Sequence, residues 1–506
     1  MPNILTRAWN RLTGKPAQHR AHERKWAAAR MDRFTSEWLA TSLSINQELR
    51  SDLDKLRARG RDLVCNNDYA AKFVGMVQTN IIGPGGIRLQ MRVTDAPGQP
   101  DRLANAAIES AYERWGQAAT LDGRQTLRDL CETLVGGLPS DGEFLVQIVR
   151  GQQANNPFNF ALQPIDVDRI DTNYNQMLAG GGAVINGVEV DQYRSPVAVH
   201  IFDGHPNDGG FSSRLRKRLP LTDCIHSFRV TRPGQLRGIP WMAPGMLSLH
   251  HLGNFKLAAL LAAEHGANHY GFFTSPDGLA PPIAGDNTED GKQITASQPG
   301  TFDTLPVGYG FQAFDSKYPE ANFGPFVKTT LQRIASGWRV SYHSLGNDLE
   351  GVSFSSIRSG TLEDRDRWSS DQEWFISTFM EPVFQQWLTM ALASGQITMP
   401  NGSALPLAKR DKFSAHQWQP RRWEWVDPKG DMDAKVLSVK AGLMAPQDLC
   451  SSMGYDFEDV LTSIKAAQDL AKTLGVSLTA YDATPGAVSA TPSAAPAPAG
   501  GGKSVA

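Results

Sequence analysis

The sequence predicts a predominantly helical α+β protein, and three observations carry that expectation. Apolar residues recur at three- and four-residue steps over Asn322–Trp338 and again over Phe375–Met390, the spacing of one helical face. Ile87-Arg88-Leu89-Gln90-Met91-Arg92-Val93 alternates strictly between apolar and polar, the spacing of a strand with one buried face. The composition is that of a globular chain, with 506 residues, 41% apolar, 20% charged and a formal net charge of −2. That length suggests roughly three or four domains of ordinary size, and near-neutrality gives no global pull toward nucleic acid.

Residues 1–60 read as a basic arm. Positions 1–61 hold 13 Lys or Arg against 6 Asp or Glu, a net +7, with no apolar core like that of a signal peptide. Such an arm can touch an acidic surface or nucleic acid, or simply stay solvated. A helix is predicted from Asn67, carrying Tyr69, Phe73, Met76 and Val77, and Gly83-Pro84-Gly85-Gly86 ends it. After the strand, helices are predicted near 101–117 (Ala104, Ala107, Ile108, Ala111, Trp115) and 126–138 (Leu127, Leu130, Cys131, Leu134). Strands follow at 143–150 and 158–163, which makes a mixed α+β layer.

Residues 176–240 look strand- and loop-rich, with a basic patch at Arg214, Arg216, Lys217 and Arg218. A helix near 242–270 contains Leu257, Leu260 and Leu261. The Gly-, Pro- and aromatic-rich stretch 271–319 reads as a compact insertion before the next helix, a projecting arrangement. That next helix, 320–341, has an apolar stripe of Phe323, Phe326, Val327, Leu331, Ile334 and Trp338, with Lys328, Gln332 and Arg333 off it. Between Tyr342 and Ile357 there is no Lys or Arg; Asp348 and Glu350 are the charges, and Gly346 and Gly351 loosen the backbone. A mobile acidic loop is expected there, held between two helices. The second of these, 357–394, carries Phe375, Phe379, Val383, Trp387 and Met390, with Pro382 placed to bend it.

Beyond Gly395 come Trp418, Trp423 and Trp425, then Asp427-Pro428, a cap with proline at the first helical position. Helices are predicted to end at Gly442, Gly454 and Gly475. The last has Asp456 as its cap and carries Phe457, Val460, Leu461, Ile464, Leu470 and Leu474, which suggests a packed C-terminal helical domain over 431–483. Residues 484–506 are dominated by Ala, Pro, Gly, Ser and Thr, and read as a disordered tail.

Several segments come close to catalytic motifs and depart from each. Gly285–Gln293 has five residues between glycine and Gly-Lys where a phosphate loop has four, and Gln293 replaces the metal-binding hydroxyl. Gly502-Lys503-Ser504 has Ala497 where the first glycine belongs. In Glu264-His265-Gly266-Ala267-Asn268-His269, His265 and His269 could share one helical face one turn apart, but the order is not His-Glu-x-x-His and no third ligand is evident. His250 and His251 point to opposite sides. Asp166, Asp168 and Asp171 resemble a calcium loop only in acidity, with Ile170 at a ligand position and Met177 where the bidentate Glu belongs. No Gly-x-Ser-x-Gly elbow occurs, and Ser353 and Ser355 have no base nearby in sequence. Cys65, Cys131, Cys224 and Cys450 are too scattered for a zinc knuckle or a compact disulfide framework, so a reducing cytoplasm is the simplest compartment. LAALLAA at Leu257–Ala263 is too short to span a bilayer.

Four blocks, in order along the chain, carry a resemblance. They are LRARGRDLVCNNDYAAKFVGMVQTNIIGPGGIRLQ at 56–90, RPGQLRGIPWMAP at 232–244, EANFGPFVKTTLQRIASGWRVSYHSLGNDLEGVSFSSIRSGTLEDRDRW continuing to FMEPVFQQWLTMAL within 320–393, and WEWVDPKGDMDAKV at 423–436. Together they resemble the portal proteins of tailed bacteriophages, the lambda-type family, over most of residues 40–476. The resemblance implies a ring of twelve subunits at one capsid vertex, a non-enzymatic conduit for double-stranded DNA with no cofactor and no metal. It implies a wing at 61–241 returning at 395–430, stem helices at 242–270 and 320–341, and a clip at 271–319 that meets terminase and head-completion or adaptor proteins. It further implies a tunnel loop at 342–356, a long channel-side helix at 357–394 and a crown at 431–483. DNA-facing residues would be Asn347, Asp348, Leu349, Glu350, Gly351, Val352, Ser353, Phe354, Ser355 and Ser356, touching duplex weakly and without sequence preference. Other implied partners are the major capsid protein and scaffold, with no membrane; the site of action is the virion, assembled in the host bacterial cytoplasm. Two alternatives stand beside it: another head-tail connector or minor capsid protein, and a metal-dependent hydrolase centred on Glu264, His265 and His269.

Overall fold

The computed structural model describes residues 42–96, 99–208, 215–267, 271–274, 286–287, 293–294, 310–313, 323–350, 353–423, 428–453 and 455–475. Its first element, α1, is Ile45–Asn66, started by Ser44, whose side chain accepts from the Gln47 amide. Ile45, Leu49 and Leu53 form its buried side. The basic arm assigned to 1–60 is thus shorter than expected, because residues 45–60 are packed helix and Arg57 among them is buried against carboxylates. Residues 1–41 lie outside the described residues, as does the tail at 484–506.

Helix α2, Asp68–Ile81, is capped by the Asn67 side chain and buries Phe73, Val77 and Ile81. Strand β1, Arg88–Met91, pairs antiparallel with His416–Gln419, so Leu89 lies opposite Trp418. Helix α3, Arg102–Gly116, buries Ala104, Ala107, Ile108, Ala111 and Trp115, the face its spacing predicted. Helix α4, Leu127–Asp141, begins with a reciprocal capping box between Thr126 and Asp129. It ends on Gly142 in the left-handed region (φ 79°), where a Cβ would sit 2.2 Å from the Ile239 carbonyl carbon.

The chain then builds two antiparallel sheets. Strands β2 (Glu143–Arg150) and β3 (Phe160–Ile165) form a hairpin. Strands β4 (Gln176–Met177), β5 (Ala183–Ile185), β6 (Val188–Val190), β7 (Pro196–Phe202) and β8 (Arg216–Pro220) make a five-stranded sheet with β8 at one edge and β4 at the other. Strand β9, Cys224–Phe228, returns to complete the order β9-β2-β3.

Helix α5, Met246–Ala267, and helix α6, Phe323–Gly337, pack as a pair, with Phe255 against Phe323 (5.6 Å) and Phe326 (5.1 Å). Between them Gly271–Thr274 pairs antiparallel with Gly310–Ala313, closing the base of the insertion expected at 271–319; most of that insertion lies outside the described residues. Next come a one-turn helix α7 (Tyr342–Gly346), α8 (Phe354–Phe375) and α9 (Glu381–Ala393). The last two are joined by a π-turn at Ile376–Met380. Pro382, at the start of α9, has no amide proton and its ring would strike the carbonyl one turn back, and the widened turn relieves that conflict.

One contiguous core links these helices to the β9-β2-β3 sheet. Its aromatic centre sets Tyr112 edge-on to Trp387 (4.9 Å) and Phe144 edge-on to Phe379 (5.7 Å). Strand β10, His416–Gln419, leads to α10 (Pro428–Lys440), α11 (Pro446–Ser452) and α12 (Phe457–Leu474). Asp456 caps α12 as predicted and Gly475 ends it, whereas Asp427 and Gly454 lie outside the described residues. Of α12 only Ala471 is fully buried, and Leu461, Leu470 and Leu474 are exposed.

Candidate functional site

The acidic loop starts from a rigid root. Trp338, at the end of α6, is buried, stacks on Phe73 of α2 (4.8 Å) and donates from Nε1 to the Met242 carbonyl (3.0 Å). Gly245 must be small here, since a Cβ would lie 2.6 Å from that indole nitrogen. Arg339 takes a left-handed conformation (φ 58°), and Arg367 from α8 donates to the carbonyls of Trp338 (2.9 Å) and Arg339 (2.7 Å). These are orphan carbonyls at a helix end, which a guanidinium satisfies well. Asp364, also on α8, accepts from the Ser341 amide (3.0 Å) and so fixes where α7 begins.

Helix α7 then turns the loop's own side chains inward. The Tyr342 hydroxyl donates to Asp348 Oδ2 (2.8 Å), His343 Nδ1 donates to the Asp348 carbonyl (2.7 Å), and Lys328 from α6 lies 2.9 Å from Asp348 Oδ2. The hydrogen bonds from Lys328 and Tyr342 hold the Asp348 carboxyl down to about 2. Burial, and then the Asp348 carboxylate, push the Tyr342 phenol up to about 12. One residue earlier, Asn347 accepts from the Lys72 ammonium of α2.

The expected site residues therefore divide. Leu349, Glu350 and Ser353 are exposed, while Asn347 and Asp348 are tied to the body of the chain. Gly351 and Val352 lie outside the described residues; Phe354, Ser355 and Ser356 form the first turn of α8, their side chains likewise outside. The segment read as a loop over 342–356 is helical at both ends, because Ser341 caps α7 and α8 starts three residues sooner than expected. The loop is also less acidic than it read, since a lysine from the preceding helix meets one of its two carboxylates. On α6, Leu331, Ile334 and Trp338 are buried, Phe323 and Val327 half-buried, and Phe326 is 54% exposed.

The basic patch largely dissolves. Arg216 pairs with Asp171 (2.6 Å) and Arg218 with Glu189 through two bonds (2.8 and 2.9 Å), while Arg214 lies outside the described residues. Asp166 and Asp168, with His205, are spaced for a cation, but the Arg61 guanidinium already lies among Asp141, Asp166 and Asp168. Glu264 is exposed; the side chains of His265 and His269 lie outside the described residues. Among the described residues no helix is long and apolar enough to cross a membrane.

An open groove runs between α3, β1 and α12, crossed by ion pairs from Arg92 to Asp456 (3.7 Å) and from Arg102 to Glu458 (3.5 Å). Glu109 faces it and accepts from the Met91 amide (2.6 Å). Burial, aided by the charges of Asp459, Asp456 and Glu113, pushes its carboxyl up to about 7.

The profile of a family described as phage portal protein, lambda family, matches residues 31–372. A probable portal protein of Halomonas phage phiHAP-1 is 33% identical over 487 residues, covering 93% of this chain and 92% of its own length. Portal protein B of Escherichia phage lambda is 20% identical over 456 residues, covering 84% and 85%. Among solved structures, a chain from the virion of a native gene transfer agent particle covers 80% of this chain and 93% of itself, at 12% identity and a TM-score of 0.42. The chain belongs to the lambda family of phage portal proteins, a structural and not an enzymatic family.

Proposed function

We propose that the chain closes into a ring of twelve at one capsid vertex, and that double-stranded DNA passes through the ring's axis during packaging and ejection. The observation that carries this is the α5–α6 pair. Helix α5 buries Leu249, Leu252 and Ala259 against its own chain, yet leaves Leu247, Leu257, Leu260 and Leu261 exposed by 69%, 57%, 66% and 45%. A helix apolar on most of its circumference requires cover from elsewhere. Neighbouring copies supply it when one surface meets a different surface of the next copy and the rotation closes. Scaled by exposed fraction, those four leucines are worth about 4–7 kcal/mol per interface at roughly 1.5–3 kcal/mol per fully buried leucine.

Within this reading 61–241 and 395–430 form the wing, 242–270 and 320–341 the stem, and 271–319 the clip that meets terminase and head-completion or adaptor proteins. Residues 342–356 line the channel, 357–394 stand behind them, and 431–483 form a crown, whose exposed leucines on α12 also call for neighbours. The major capsid protein and scaffold surround the ring, which assembles in the host bacterial cytoplasm before the virion is complete. Exposed Leu349, Glu350 and Ser353 present DNA with little to hold it. Each phosphate neutralised by Lys or Arg adds salt-dependent affinity that would arrest sliding, and a channel must avoid that.

The test is the mass and end-on electron microscopy of the purified chain and of a Leu257→Ser, Leu260→Ser, Leu261→Ser variant. Wild type should give closed rings and the variant smaller species with unchanged helical content. Wild type that stays monomeric or dimeric from low to high salt refutes the reading.

A further inference from the structure

We propose that Lys72 and Lys328 form a latent site for the phosphodiester backbone, kept closed by Asn347 and Asp348 and opened when the loop leaves its root. The proposal rests on the reading of residues 342–356 as channel-facing. Lys72 comes from α2 and Lys328 from α6, two helices far apart in sequence, yet their ammonium groups are held by consecutive loop residues. Consecutive Cα atoms are about 3.8 Å apart, so the two cations are tied to adjacent residues of the loop. A third lysine, Lys256 of α5, lies at the same end, 5.0 Å over the ring of Tyr69, one helical turn before Lys72.

The two holds differ in kind. Asp348 gives Lys328 a full counter-charge, backed by the Tyr342 hydroxyl. Asn347 gives Lys72 only an amide dipole, although burial already lowers that amine from its ordinary value. A partly desolvated ammonium with a neutral partner gains more from an anion than a solvated one does. The Asp348–Lys328 pair is partly exposed, and such pairs are weak and screened by salt. A phosphate run brought close is chemically the same partner as Asp348, with more charge behind it.

The loop thus works as a cover. While it is seated, its carboxylate occupies the lysine that would otherwise grip DNA, and duplex slides. When it is displaced, two cations per subunit face the channel and hold the backbone without reading sequence.

The experiment measures binding of a fluorescein-labelled linear duplex to assembled full-length rings across a salt titration. Four proteins are compared: wild type, Asp348→Asn, Glu350→Gln, and Asp348→Asn combined with Lys72→Ala and Lys328→Ala. Asp348→Asn should steepen the dependence of log K on log salt by about 0.9 for every lysine that engages a phosphate. The triple variant should return to the wild-type slope. Glu350→Gln removes the same charge from an exposed position and should leave the slope unchanged. An unchanged slope in Asp348→Asn, an equal steepening in Glu350→Gln, or a steep slope that survives in the triple variant each overturns the latch. Ring formation by wild type is read in the same samples: no rings defeats the portal-ring reading itself, whereas rings with an unchanged slope defeat only the latch.

Discussion

Replacing Glu143 by glutamine should uncouple the β9-β2-β3 sheet from α1. Glu143 opens β2 directly after the left-handed turn at Gly142, and its carboxylate is fully buried. Oε1 accepts from Arg57 of α1 and from Arg237 Nε (2.8 Å); Oε2 bonds His226 Nε2 (3.1 Å) and the Gly238 amide (2.5 Å). Arg237 is completely buried and Arg57 nearly so, with Asp168 at 3.5 Å as the second carboxylate near Arg57. Glutamine keeps the volume but removes the charge, leaving two buried guanidiniums short of a counter-ion. Breaking a buried pair from one side costs about 3–5 kcal/mol. At about 2–4 °C per kcal/mol for a cooperative unit of roughly 150–250 residues, melting should fall by about 6–20 °C. Burial alone would raise the Glu143 carboxyl, but Arg237, Arg57 and His226 more than offset it and hold it well below the usual range. Its contribution is therefore complete above the unfolded value of about 4.3 and is lost as pH falls through the lower folded value. The assay is thermal unfolding of wild type and Glu143→Gln at pH 7 and again below pH 4, with amide exchange of β2 and β9 as the local probe. A loss under about 1 kcal/mol at pH 7, or a difference that grows in acid, refutes the reasoning.

Glu109→Gln should be more stable relative to wild type at pH 8 than at pH 5. The folded carboxyl stays protonated up to about 7 while the unfolded one ionises near 4.3, so wild type loses stability as pH rises between them. Discounted for partial exposure, the gain is about 1–2 kcal/mol, and urea unfolding at the two pH values checks it. Gly142→Ala should lose more than about 2 kcal/mol, because the backbone is left-handed (φ 79°) and the new Cβ meets the Ile239–Pro240 backbone; an unchanged melting temperature would show that this turn yields.

Much of the architecture was legible along the chain. The stripe over Asn322–Trp338 became α6, the spacing near 101–117 became α3 with the same inward residues, and Asp456 caps α12. These features act over one helical turn, so adjacent residues suffice to specify them. What failed was charge. The patch at Arg216 and Arg218 read as an available surface, but Asp171 and Glu189 consume it across strands 29 to 45 residues apart in sequence. The loop read as acidic, but Lys328 meets Asp348 and Lys72 reaches Asn347 across 275 residues of sequence. No periodicity announces such pairs, since each depends on which helices the core brings together.

The sequence by itself therefore determined most of the helices, the Asp456 cap, the helix-loop-helix block and the family to which that block belongs, all of them carried by local spacing or by blocks read in order. Only the tertiary structure decided where charge is spent: which cations are buried with Glu143, which are held by the loop, and which apolar faces on α5 and α12 are left uncovered. The reason is physical. A side chain's electrostatic partner and its burial are set by long-range packing, and one change of helix contact reassigns them without altering any local pattern.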